Sequence, residues 1–141
     1  MSTKVLLLRE SEERAGDLVD EALKSGGVSV RNVWSTSDAL IALSEDEPSI
    51  EIVLIETTNH PELLEFIRMV RKGIKQSDVP IILFRLAPSL LPRDMAIYDF
   101  LKKNQRILNI SNCLTISDVG VDELLRAVQF SVMSSSRLTR S

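Results

Sequence analysis

The feature that most constrains this chain is a strict alternation of short aliphatic runs with segments of helical periodicity. "KVLLL" (4–8), "VSVRNVW" (28–34), "IEIVLI" (50–55) and "VPIILF" (79–84) are each followed by a helical pattern. Two segments compete for a fifth strand. "RILNIS" (106–111) fits the spacing best, and "CLTIS" (113–117) is the alternative. The third and fourth runs are almost wholly apolar, as strands covered on both faces require. Strands alternating with helices over short connections dictate a parallel sheet between two helical layers. Right-handed crossovers then leave few topologies.

The helical segments carry their own punctuation. Ser11 can cap the first helix, Glu12 and Glu13 suit its positive end, and Gly26 or Gly27 stops it. Ala15, Leu18, Val19, Ala22 and Leu23 form one apolar stripe at helical spacing. "STSDALIALSEDE" supplies cap residues and a short second helix, and Pro61 and Gly73 bracket the third. "PRDMAIYDFLKKN" gives the fourth helix. A final one spans 118–133, with Leu124, Leu125 and Val128 facing inward. The closing "SSSRLTRS" is Ser-rich and basic. It reads as a disordered tail or the start of a linker, leaving residues 1–134 as one domain and 135–141 as the tail.

A length of 141 residues suits a single core. Aromatics are only 4 %, so Leu, Ile and Val must build that core. No apolar run approaches the ~20 residues that span a bilayer, and the apolar stretch in "MSTKVLLLRE" is too short for a signal peptide. The lone Cys113 cannot form an internal disulfide, which fits a reducing, cytoplasmic setting. A net charge of −3 leaves no basic footprint for direct nucleic-acid binding. His60 has no second histidine or neighbouring cysteine with which to build a metal site, and reads as a loop residue. Cys113 reads as a small, partly buried side chain rather than a nucleophile. Trp34 is assigned to the edge of the core, with an interface anchor as the alternative. The five glycines are dispersed and form no phosphate loop.

In doubly wound sheets the functional crevice lies outside the carboxyl ends of the strands, where the strand order switches. The residues there are Arg9 and Glu10 after the first strand, Glu56 to His60 after the third, and Arg85 after the fourth. The simplest reading of Arg9 and Glu10 is solvated side chains ahead of a helix. Glu56 is either a strand-end group facing water or the partner of Arg85 in a half-exposed ion pair.

With these elements in order, the chain resembles the receiver domain of bacterial two-component response regulators over roughly residues 4–133. The resemblance rests on element order and on phrases such as "VRKGIKQSDVPIILF" and "VDELLRAVQ". It implies a flavodoxin-like (βα)5 fold and a role in signal transduction. It also implies two acidic residues after the first strand to hold Mg²⁺ and a phosphoacceptor aspartate at the end of the third. A Ser or Thr is implied after the fourth strand, and a Lys after the fifth. At the matching positions this chain has Arg9 and Glu10, Glu56, and Arg85, and neither candidate fifth strand contains a lysine.

Phosphoryl transfer needs an in-line oxygen, a divalent metal and a cation to hold the product. The extra methylene of Glu56 would displace its oxygen by about 1 Å, enough to cost on the order of 100-fold. Arg9 removes a metal ligand and adds a positive charge in its place. The sequence therefore points to a degenerate receiver: a non-enzymatic module with no cofactor and no metal, working through protein–protein contacts. The resemblance implies a partner surface on the fourth helix, fifth strand and fifth helix. Leu90, Leu91, Ile97, Tyr98 and Phe100 exceed what one inward stripe can bury there, and suit a protein partner or a homodimer. Two alternatives stay open: a receiver phosphorylated by unusual chemistry, and a small-ligand-binding protein on the same fold.

Overall fold

The computed structural model describes residues 4–9, 14–45, 50–56, 62–73, 79–86, 99–116 and 122–130. The strands are β1 (Lys4–Leu8), β2 (Ser29–Val33), β3 (Ile52–Glu56), β4 (Ile81–Leu86) and β5 (Asn112–Ile116). They form one parallel sheet in the order β2-β1-β3-β4-β5. The helices are α1 (Arg14–Ser25), α2 (Thr36–Ser44), α3 (Leu63–Gly73), α4 (99–103), α5 (Gln105–Leu108) and α6 (122–130). The five-stranded, doubly wound architecture is the one the alternating pattern dictates. No helix among the described residues is long and apolar enough to cross a membrane.

Period-two alternation along the strands builds two cores. Leu6, Leu8, Val53, Ile55, Ile81 and Leu83 face one way and pack on α2, α3 and Leu101. Val5, Leu7, Ile52, Leu54, Ile82 and Phe84 face the other way, toward α1 and α6. Val19 and Leu23 bring α1 to that second core, and Leu124 and Val128 bring α6. Leu125 packs against it partly buried, as the stripe anticipates. Trp34 departs from its assignment. It is 44 % exposed, too open for a core residue.

The helix ends follow their local chemistry. Ser35 caps α2, its hydroxyl accepting from the Asp38 N–H at 3.1 Å. Gly27 stops α1 in the left-handed region at φ 82°. Its N–H donates to Lys24 O and that of Val28 to Leu23 O, a Schellman closure sealed by burial of Val28 and Leu23. Ser11, Pro61 and the tail from 135 lie outside the described residues.

The fifth strand corrects the favoured expectation. Residues 106–111 do not form it; "CLTIS" supplies β5, and "QRIL" coils into α5. The cause is Asn109, which adopts the left-handed conformation at φ 54°, ψ 51° and caps α5 with its N–H toward Arg106 O and Gln105 O. Asn tolerates that region better than other side-chain-bearing residues. Arg71 of α3 then fastens the turn. Its Nη2 donates to Asn109 O at 2.6 Å, its Nε to Leu108 O at 3.4 Å and its Nη1 to Val79 O at 2.7 Å.

Candidate functional site at the carboxyl ends of β1 and β3

β1 and β3 are neighbours, with Leu8 opposite Ile55. One further step of this register sets Arg9 beside Glu56, and both positions fall on the α1–α6 face of the sheet. The two residues are the buried charged groups among the described residues, each only 4 % exposed. This corrects two expectations. Arg9 is not a solvated residue ahead of a helix, and Glu56 is not a strand-end carboxylate facing water or part of a half-exposed rim. Glu56 belongs to β3 itself, a strand buried at every position.

The burial of Arg9 has an identifiable basis. Its backbone N–H extends the β1–β2 ladder by donating to Val33 O at 2.8 Å. Its guanidinium lies over the Trp34 ring, 5.4 Å from the centroid, where the aromatic quadrupole favours a cation. Its Nη1 donates to Asn32 Oδ1 at 3.4 Å. Asn32 Nδ2 in turn donates to Asp20 Oδ1 at 3.1 Å, and Lys24 Nζ pairs with Asp20 Oδ2 at 2.9 Å. A polar chain thus runs from the pocket along β2 to the outer surface of α1. Burial works against ionisation of Asp20. The Lys24 and Asn32 hydrogen bonds and the charges of Lys24 and Arg9 outweigh it, and hold the carboxyl below its ordinary value.

The sequence reading missed Asn32, Asp20 and the role of Trp34. A signal for Asn32 was present, since it shares the register level of Leu7 and falls on the same face as Val30, where the alternation calls for an apolar residue.

Arg85 lies on β4, one position past Phe84, the register partner of Glu56. Glu56 falls on the face of Ile52 and Leu54, and the expected pairing of Arg85 with it involves a side chain outside the described residues. The Arg85 side chain, Glu10 and His60 lie outside the described residues, as do Leu90, Leu91, Ile97 and Tyr98. Phe100, the remaining member of the expected partner surface, is 51 % exposed. Cys113 is half-buried; burial raises its thiol pKa, opposed by the charge of Lys102, so the group is a thiol at neutral pH.

The donor set decides whether the site suits the Mg²⁺ that the resemblance implies. Hard divalent cations need several oxygen ligands. Arg9 offers none and buries a positive charge level with the Glu56 carboxylate. Among the described residues no group of three His, Cys, Asp or Glu side chains could hold a metal ion. The described residues at this site do not fit Mg²⁺.

No protein-family model matches the chain, and no curated protein matches it significantly. Solved structures do. A sensor protein from Polaromonas sp. JS666 superposes with a TM-score of 0.71 at 18 % identity, covering 94 % of this chain and 97 % of that one. A response regulator receiver protein from Pseudomonas putida gives 0.71 at 18 % identity, over 92 % and 97 %. The chemotaxis response regulator CheY4 of Vibrio cholerae gives 0.68 at 19 % identity, over 93 % and 99 %. Identities this low speak for architecture alone, and near-complete coverage of both chains makes that architecture unequivocal. The chain has the flavodoxin-like fold of response-regulator receiver domains.

Proposed function

We propose that this protein is a degenerate receiver, a non-enzymatic signalling module that acts through protein–protein contacts without being phosphorylated. The observation that carries the reading is the buried Arg9 guanidinium, stacked on Trp34 and level with the buried Glu56. An active phosphoacceptor pocket needs carboxylates to gather a metal and room for a phosphoryl group at the strand ends. Here a fixed cation takes the first of those positions, and the candidate acceptor is a buried glutamate. A cationic side chain thus stands at the strand ends where the resemblance implies an exchangeable ion.

The surface expected to meet partners is the fourth-helix side, where Phe100 stands half out of the protein. Residues 1–134 form the signalling unit, and the single cysteine supports a cytoplasmic, reducing setting. The balance of charge disfavours nucleic acid as the direct partner.

Incubation with acetyl phosphate, or with beryllofluoride, in the presence of Mg²⁺ tests the reading. Intact-mass spectrometry is expected to show no adduct, and amide spectra no saturable shifts at 52–56. A covalent phosphoryl group, or shifts clustered on Glu56, would overturn it in favour of a receiver with unusual chemistry.

A further inference from the structure

The two segments that compete for the fifth strand are nearly the same segment written twice. Residues 106–111 read "RILNIS" and residues 112–117 read "NCLTIS". Leu, Ile and Ser recur at a distance of six residues, Ile107 answers to Cys113, and Asn109 to Thr115. The period is even, so sliding the chain by one copy preserves the face of the sheet on which each position falls. In the observed register Leu83, Phe84 and Leu86 of β4 stand opposite Cys113, Leu114 and Ile116. A slip of one copy sets Ile107, Leu108 and Ile110 at those same levels. The sheet can therefore read either copy without turning an apolar position outward.

We propose that β5 is a register switch, with a minor native conformation in which 106–111 replaces 112–116 beside β4. The strand lies at the margin of the sheet with β4 as its neighbour, so the exchange breaks and re-forms a single ladder. The first copy is kept out of the sheet by a marginal structure. α5 is one turn of four residues with no side-chain bond at its N-cap Asn104, and single turns are costly to nucleate. Asn109 is held in the left-handed region, and Ile107 is 84 % exposed. Against the slip stand the burial of Leu108 and Ile110 and the Arg71 bonds to the carbonyls of Leu108 and Asn109. The slip relieves Asn109 and moves Ile107 to the half-buried level of Cys113. With α4 ending at 103, Asn104 and Gln105 remain as a connection of ordinary length, and the second copy passes into the link to α6. The molecule thereby gains an element with two discrete arrangements, which any ligand favouring one of them can bias. The switch is independent of whether Glu56 accepts a phosphoryl group.

Chemical exchange saturation transfer on the backbone nuclei of the intact protein tests the proposal. One concerted minor state over 105–117 is expected, populated at roughly 0.1–10 %, with strand-like carbon shifts at 106–111. Ile107→Lys is the discriminating variant. The side chain is exposed in the observed register, so the major spectrum and the unfolding midpoint should hold. In the slipped register it would put an ammonium at the half-buried Cys113 level, and the minor population should fall at least ~10-fold. Asn109→Gly, which adopts the left-handed turn without a side-chain clash, should lower it as well. Three results would overturn the switch: no minor state, a minor state with coil shifts at 106–111, or a minor population unchanged in Ile107→Lys.

Discussion

At the scale of single residues, Arg9 shows how a buried charge survives inside a small protein. Its desolvation is offset by the Trp34 face, the Asn32 carbonyl oxygen and the neighbouring carboxylate level. Arg9→Ala removes this cation while leaving Glu56 buried, and should lower stability by about 2–4 kcal/mol in urea unfolding. Glu56→Gln keeps the volume and should cost less. A double-mutant cycle on the two should give a coupling of at least ~1 kcal/mol; additivity within error would mean that the two side chains act independently despite sharing a register level. Trp34 is the sole tryptophan, so its emission should change in Arg9→Ala and hold in Glu56→Gln. Asp20 adds a pH signature. Its folded pKa is depressed, so the stability it contributes is fully present above the ordinary carboxylate range and is lost as pH falls through the lowered folded value. Asp20→Asn should flatten that acid limb of the unfolding midpoint, leaving the neutral-pH slope unaltered. None of these partnerships is written in local sequence, because Arg9, Asn32 and Asp20 meet only after β1, β2 and α1 have assembled.

At the scale of elements, most boundaries were legible because apolar period and cap chemistry agreed. The Gly27 stop and the Ser35 cap are local events, encoded within a few residues of where they act. The error at 106–111 has a different origin. "RILNIS" has strand-like composition, yet Asn109 turns the chain and Arg71, distant in sequence, secures three carbonyls around it. Arg71→Ala should therefore destabilise the fold by roughly 1.5–3 kcal/mol, through loss of charge-assisted bonds to backbone oxygens. Arg71→Lys should recover little, since a point ammonium cannot span the three acceptors. Thermal or denaturant midpoints read both. If Arg71→Lys were as stable as the parent, the fork geometry would be irrelevant to the turn.

At the scale of the whole molecule, the aliphatic runs and the helical segments between them are enough to dictate the parallel doubly wound sheet. The site was only half legible: Arg9 and Glu56 could be placed at strand ends, but their burial depends on what covers those ends. A global measurement tests the metal question independently of chemistry. A ligand present at 100 times its Kd and bound only by the native state would add ~2.7 kcal/mol. Saturating Mg²⁺ is expected to leave the unfolding midpoint where it is, apart from the ionic-strength effect that equal-strength NaCl reproduces. The strand order carries one more consequence. β1, β3 and β4 are flanked by strands on both sides, while β2 and β5 form the margins of the sheet. In solvent deuterium, amides of the marginal strands can exchange through partial opening, whereas those of β1 and β3 should exchange only when the entire molecule unfolds. The Arg9–Glu56 level then has the lifetime of the native state itself, shut for as long as the molecule is folded.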